Sequence, residues 1–131
     1  MTTTTPIVPQ AGRGVNTSPA TRHKARRLAV TTITQHIAYV RGDHDIYEVR
    51  FDGLTCTCQA YEHGLRCSHV LAALEEQAHL AGWQGVLFLS NAREVAAAQE
   101  FLSETGSASK INNRHGYLWL CYGDSEPEVG A

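Results

Sequence analysis

Cys56-Thr57-Cys58, eight intervening residues, then Cys67-Ser68-His69 running straight into Val70-Leu71-Ala72-Ala73-Leu74 is the stretch on which the fold turns. Three thiols and an imidazole fall within fourteen positions, a full tetrahedral set for one zinc ion that leaves no coordination position open. In an extended segment residues i and i+2 point to one side, so Cys56 and Cys58 can converge on a common ion. Cys67 then stands at the entrance of a helix and His69 in its first turn, where free N–H groups and the helix dipole favour thiolate over thiol. A fourth cysteine, Cys121, lies far downstream in the apolar run Leu118-Trp119-Leu120-Cys121 and is expected to be a small core side chain. This is metal-ligand spacing rather than a disulfide framework, with one bystander.

Upstream, a period of two marks strands: Ile37, Tyr39 and Arg41 alternate with Ala38 and Val40, and Tyr47, Val49 and Phe51 with Ile46, Glu48 and Arg50. Gly42 to Asp45 is a polar turn, and Asp52-Gly53 suits a two-residue hairpin loop with positive φ at both centres. Three antiparallel strands follow, the last carrying Leu54 to Cys58. Before them, Ala25, Leu28, Ala29 and Thr32 recur at helical spacing, with Arg22, Lys24, Arg26 and Arg27 on the remaining faces, which predicts a short basic helix over residues 21–32. After Cys67, Val70, Leu71, Leu74 and Ala78 predict a helix that stops at Gly82.

Further on, Val86 to Leu89 reads as a buried strand. Asn91 with Glu94 resembles a capping box that opens a helix along Val95, Ala98 and Leu102, ending at Gly106. Tyr117 to Tyr122 is another strand, with Lys110-Ile111 a short partner across an Asn112 to Gly116 turn. The fold class that results is α+β: a small zinc-stabilised antiparallel β meander plus helix, a ββα-like finger, packed with a C-terminal β-α-β unit. The corresponding division of the chain is a basic Thr/Pro-rich arm over 1–21, the finger module with its preceding basic helix and strands over 22–81, the β-α-β unit over 82–124 and a flexible tail over 125–131.

The Cys-x-Cys, short loop, Cys-x-His and apolar helix resemble a SWIM-type zinc finger over roughly Ile46 to Glu76. Tyr61 matches the aromatic usual three residues after the second cysteine, and Leu65 the apolar residue of the loop. Gln59 stands where the family often has proline, and Ser68 where a lysine commonly precedes the histidine. The resemblance implies one zinc held by Cys56, Cys58, Cys67 and His69, and a role in contacting DNA or protein, since similar fingers accompany remodelling ATPases, transposases and recombination accessory proteins. It implies no catalysis. His63, in the same loop, is the rival for the fourth ligand; the family pattern and the helix-start position both favour His69.

Composition narrows the rest. The chain has 131 residues, 43% hydrophobic and 18% charged, enough for one modest core and too short for a multidomain enzyme. No apolar run approaches the length of a membrane helix, and Met1 to Ala20 offers only Ile7-Val8 where an export signal needs an apolar block; a cytoplasmic or nuclear protein is expected, with neither a membrane nor a small-molecule partner. Residues 1–21 hold seven Ser/Thr and three of the four prolines and little to bury, so a flexible arm is expected, although the same composition suits an organellar transit peptide. Net charge is −2, yet residues 1–42 carry six basic residues and no acid, leaving −8 on the remainder. Because Ser68 deprives the finger's helix tip of a basic side chain, phosphate contact is expected from Arg22, Lys24, Arg26 and Arg27, with Arg13 on the arm adding reach. The favoured partner is therefore nucleic acid, DNA above all. The alternative is a protein partner of basic character, met by Glu94, Glu100 and Glu104 on the second predicted helix.

Overall fold

The computed structural model describes residues 17–42, 44–58 and 64–127. Most of the expected arm with Arg13, the loop positions Gln59, Tyr61 and His63, and the end of the tail lie outside these residues. The fold is α+β, and its described strands form two antiparallel sheets accompanied by three α-helices. No helix among the described residues is long and apolar enough to cross a membrane.

The first helix, α1, covers Pro19–Ala25, three residues into the expected arm and well short of Thr32. Ser18 caps it, its hydroxyl accepting from Thr21 N at 3.1 Å, and Pro19 fits the first turn because its missing N–H has no role there. Arg26, Arg27 and Leu28 then close tight i→i+3 turns, and Ala29–Ile33 becomes strand β1 instead of helix. The spacing of Ala25, Leu28, Ala29 and Thr32 mimics a helix, but the run Val30-Thr31-Thr32-Ile33 is β-branched and finds a partner strand. Thr34 turns the chain by accepting the Ile37 and His36 amides on its hydroxyl, and β2 (Ile37–Arg41), β3 (Ile46–Arg50) and β4 (Thr55–Cys56) complete a four-stranded sheet in sequence order. Register sets Val40 opposite Tyr47 and Ala38 opposite Val49 on the face that meets the second helix.

The Asp52-Gly53 turn also differs from expectation. Arg50 pairs with Thr55, so the loop is Phe51 to Leu54, and its left-handed residue is Leu54 (φ 54°), not Asp52 or Gly53. Phe51 and Leu54 are both buried at the two ends of this loop. Anchoring both in the core lengthens the turn by two residues, and burial there offsets a conformation that leucine ordinarily avoids.

Helix α2 (Ser68–Leu80) buries Val70, Leu71, Ala73 and Leu74 against the sheet. It ends as the sequence predicts: Gly82, at φ 106°, donates to His79 O and Trp83 to Ala78 O, the paired bonds of a Schellman motif. Strand β5 (Gly85–Leu87) leads to α3 (Ala92–Glu104), whose Asn91 cap accepts from Glu94 N while the Glu94 carboxylate accepts from Ser90 N. The expected strand, helix and strand are present, and the short partner strand expected at Lys110-Ile111 is longer than the spacing suggests. β6 runs from Ala108 to Arg114, seven residues, and returns through a two-residue His115-Gly116 turn into β7 (Tyr117–Gly123), which lies in the middle of a β5-β7-β6 sheet. Asn112 and Asn113 look like turn residues but pair with Trp119 and Leu118; the turn falls at His115 (φ 56°) and Gly116 (φ 86°), the left-handed pair that a two-residue hairpin demands. Trp83, Phe88, Trp119 and Cys121 join the same apolar cluster as the buried residues of α2 and the first sheet, and a smaller cluster of Ala92, Val95, Leu118 and Leu120 lies under α3.

Candidate metal centre

Four side chains from two short segments meet at one point. Val49 pairs with Cys56 on β4, and just beyond it Thr57 extends the pairing, donating its N–H to Glu48 O and accepting from Glu48 N on its hydroxyl. The strand itself ends at Cys56 and the chain bends through Thr57 and Cys58, yet both thiols reach the same cluster. Cys67 is the N-cap residue of α2, extended at φ −103° and ψ 123°, and His69 lies in the first turn. The ligand atoms of Cys56, Cys58, Cys67 and His69 all fall within 4.8 Å of one another. All but the half-buried Cys58 are buried.

The spacings suit a tetrahedral ion. Zn–S bonds of about 2.3 Å and a Zn–N bond of about 2.0 Å give tetrahedral edges of about 3.8 Å between sulfurs and about 3.5 Å from sulfur to nitrogen. Cys58 Sγ lies 3.6 Å from Cys67 Sγ, and Cys67 Sγ lies 3.6 Å from His69 Nδ1. A disulfide at about 2.05 Å is a different geometry. The charge requirement agrees: with protein groups alone acting, the Cys67 thiol is pushed up to about 12, first by its contact with Cys56, then by burial, while the His69 imidazole pulls it down. A divalent cation among the sulfurs reverses that penalty by stabilising thiolate. The cluster is compatible with one zinc ion.

Two supports of the site carry no metal-binding signature and escape sequence reasoning. Tyr47 packs its ring on His69, centroids 4.4 Å apart. Gly42 leaves room for both: a Cβ there would come within 2.8 Å of Tyr47 Cε2 and 3.1 Å of His69 Nε2. With Nδ1 toward the sulfurs, the imidazole is thus held from its other side by packing. Cys121 lies outside the cluster, buried in the core, where Asn112 Nδ2 approaches its sulfur at 3.5 Å and burial raises its thiol above the ordinary value.

The basic residues are placed differently from one another. Lys24, Arg26 and Arg27 are exposed. Arg22 is half-buried and donates from Nη1 to Thr17 O at 3.2 Å. Among the described residues the ion pair is Arg50 with Glu48, at 3.5 Å, so none of the four has a carboxylate partner within 4 Å there. Register adds a residue that the sequence did not single out as a contact: Arg41 pairs with Ala29, two positions beyond Arg27.

A closed Cys3His centre on a β-hairpin and a helix start defines the class, a zinc-binding finger embedded in a small α+β fold. Residues 47–77 match the family model of the SWIM zinc finger, so the chain carries a SWIM zinc finger there. Comparison with curated proteins and with solved structures gives no significant match.

Proposed function

We propose that this chain is a non-catalytic, zinc-stabilised module that binds nucleic acid, DNA in preference, as an accessory to DNA transactions such as recombination, transposition or remodelling. The non-catalytic reading is supported by the ligand set: four protein ligands leave no position for an activated water. The nucleic-acid reading is carried by the exposed Lys24, Arg26 and Arg27, which have no carboxylate within 4 Å among the described residues and continue toward Arg41 at the same end of the first sheet. Cations left unpaired by the fold are available to phosphates.

The test is equilibrium binding to duplex DNA, single strand and RNA at several salt concentrations. With about one phosphate neutralised by each of Arg22, Lys24, Arg26 and Arg27, log affinity falls against log salt with a slope of about −3 to −4, and replacing all four with alanine removes most of it. Because Arg22 is partly held by Thr17 O, its single replacement changes the slope least. Binding absent at low salt, or indifferent to the fourfold variant, contradicts the proposal.

A second reading has its own observation. Phe101 on α3 is 62% exposed between Glu100 and Glu104, an apolar side chain in an acidic setting that suits a basic protein partner. Glu94 is committed to the helix cap instead. Loss of a partner protein on Phe101→Ala, in a chain that binds no nucleic acid at low salt, favours this reading.

A further inference from the structure

We propose that the tip of the β6–β7 hairpin positions the zinc ligands, with Arg114, His115 and Tyr117 clamping the two backbone points from which the ligand segments depart. All three lie outside the matched segment 47–77, and the proposal stands whatever the module binds. The first point is the Phe51–Leu54 loop, two residues before Cys56. Arg114 Nη1 donates to Phe51 O at 2.8 Å, and His115 Nε2 sits 2.8 Å from Asp52 O, where an N–H donates to the carbonyl. The second point is Gly64, three residues before Cys67. Tyr117 covers it so closely that a Cβ at Gly64, already at φ 64°, would fall 2.1 Å from Tyr117 Cζ.

The two points are also tied to each other and to the ligands. Gly64 N donates to Leu54 O at 2.8 Å, and Cys67 N donates to Gly64 O at 3.1 Å. The hairpin thus touches both ends of a backbone bridge, one end continuing into Cys56 and Cys58 and the other into Cys67 and His69. A tetrahedral site tolerates little drift in its ligand spacing, so fixing these two departure points lowers the ordering that metal binding must complete. The sequence hides this, since Arg114, His115 and Tyr117 read as a turn and a strand start some fifty residues downstream.

The experiment uses the full chain, with zinc affinity measured by chelator competition and the Co2+ ligand-field spectrum recorded for each variant. Tyr117→Ala is expected to weaken zinc binding by at least about tenfold, the range seen when groups that orient metal ligands are removed, and Tyr117→Phe to restore it to within about threefold. Val95→Ala, on the buried face of α3 and in the smaller apolar cluster rather than the one that Tyr117, Cys56 and Cys67 share, is the control: it lowers thermal stability but leaves zinc affinity within about threefold. Gly64→Ala is expected to cost less affinity in the Tyr117→Ala background than in the wild type, because the collision is gone. Should Tyr117→Ala fail to fold with zinc present, the Arg114→Gln/His115→Ala pair decides: faster zinc loss to chelator supports the clamp, and an unchanged rate overturns it. The proposal is likewise overturned if Tyr117→Ala binds zinc as wild type does, or if Val95→Ala loses as much affinity as Tyr117→Ala.

Discussion

Raising the pH should tighten zinc binding steeply, and the site's own geometry sets how steeply. The ion binds thiolates, so each bound zinc displaces the protons of three cysteines. At Cys67 the displacement is hardest, because its contact with Cys56 and its burial push the thiol from 9.0 up to about 12. A divalent cation stabilises the thiolate that these protein groups disfavour, and structural zinc supplies roughly 10 to 16 kcal/mol apparent at neutral pH in finger peptides. The sign follows directly. The protein groups favour the protonated form of Cys67, protons compete with zinc, and affinity falls as pH falls. Between about pH 7 and 8, three protons released per zinc give a slope near 3 in log affinity against pH, or about 4 kcal/mol per pH unit. Chelator competition across that window measures the slope, and calorimetry in buffers of different ionisation enthalpy counts the protons. A slope of 1 or less, or fewer than two protons released, refutes a three-thiolate site.

Other expectations are narrower. His69→Ala should lower zinc affinity by orders of magnitude and His63→Ala should change it little; metal titration showing the reverse order would place the fourth ligand in the loop. Cys58→Ser should unfold at least the segment around the metal site, which amide NMR dispersion checks; a dispersed, metal-free variant would break the link between zinc and folding. Cys121→Ser should leave zinc content unchanged and lower stability by about 1 to 3 kcal/mol through a poorly satisfied buried hydroxyl, measured by denaturant unfolding. Leu71→Ala, at a fully buried position between α2 and the sheet, should cost about 2 to 5 kcal/mol in the same assay.

The cluster of Cys56, Cys58, Cys67 and His69 and the helix that follows could be found in the sequence because both signals are local: donor atoms at fixed spacing, followed by an apolar period ended at Gly82. The same holds for the Asn91 cap and the Gly106 stop, where one or two side chains decide the geometry. What failed was decided by distant partners. Val30-Thr31-Thr32-Ile33 became a strand because β2 lies beside it, and the helical spacing of Ala25 and Leu28 carries no information about that neighbour. Asn112 and Asn113 resemble a turn, yet their pairing with β7 moves the turn to His115-Gly116. Leu54 takes a positive φ beside a glycine better suited to it, because the core needs its side chain. Tyr47, Gly42 and Tyr117 serve the site by packing alone, and packing leaves no motif.

The most direct measurement is zinc stoichiometry together with X-ray absorption at the zinc edge on protein purified under reducing, chelator-free conditions. The Cys56, Cys58, Cys67 and His69 cluster predicts one zinc per chain with three sulfurs at about 2.3 Å and one nitrogen at about 2.0 Å. Less than about half an equivalent of zinc, or a shell holding only two sulfurs or an oxygen ligand, would contradict it.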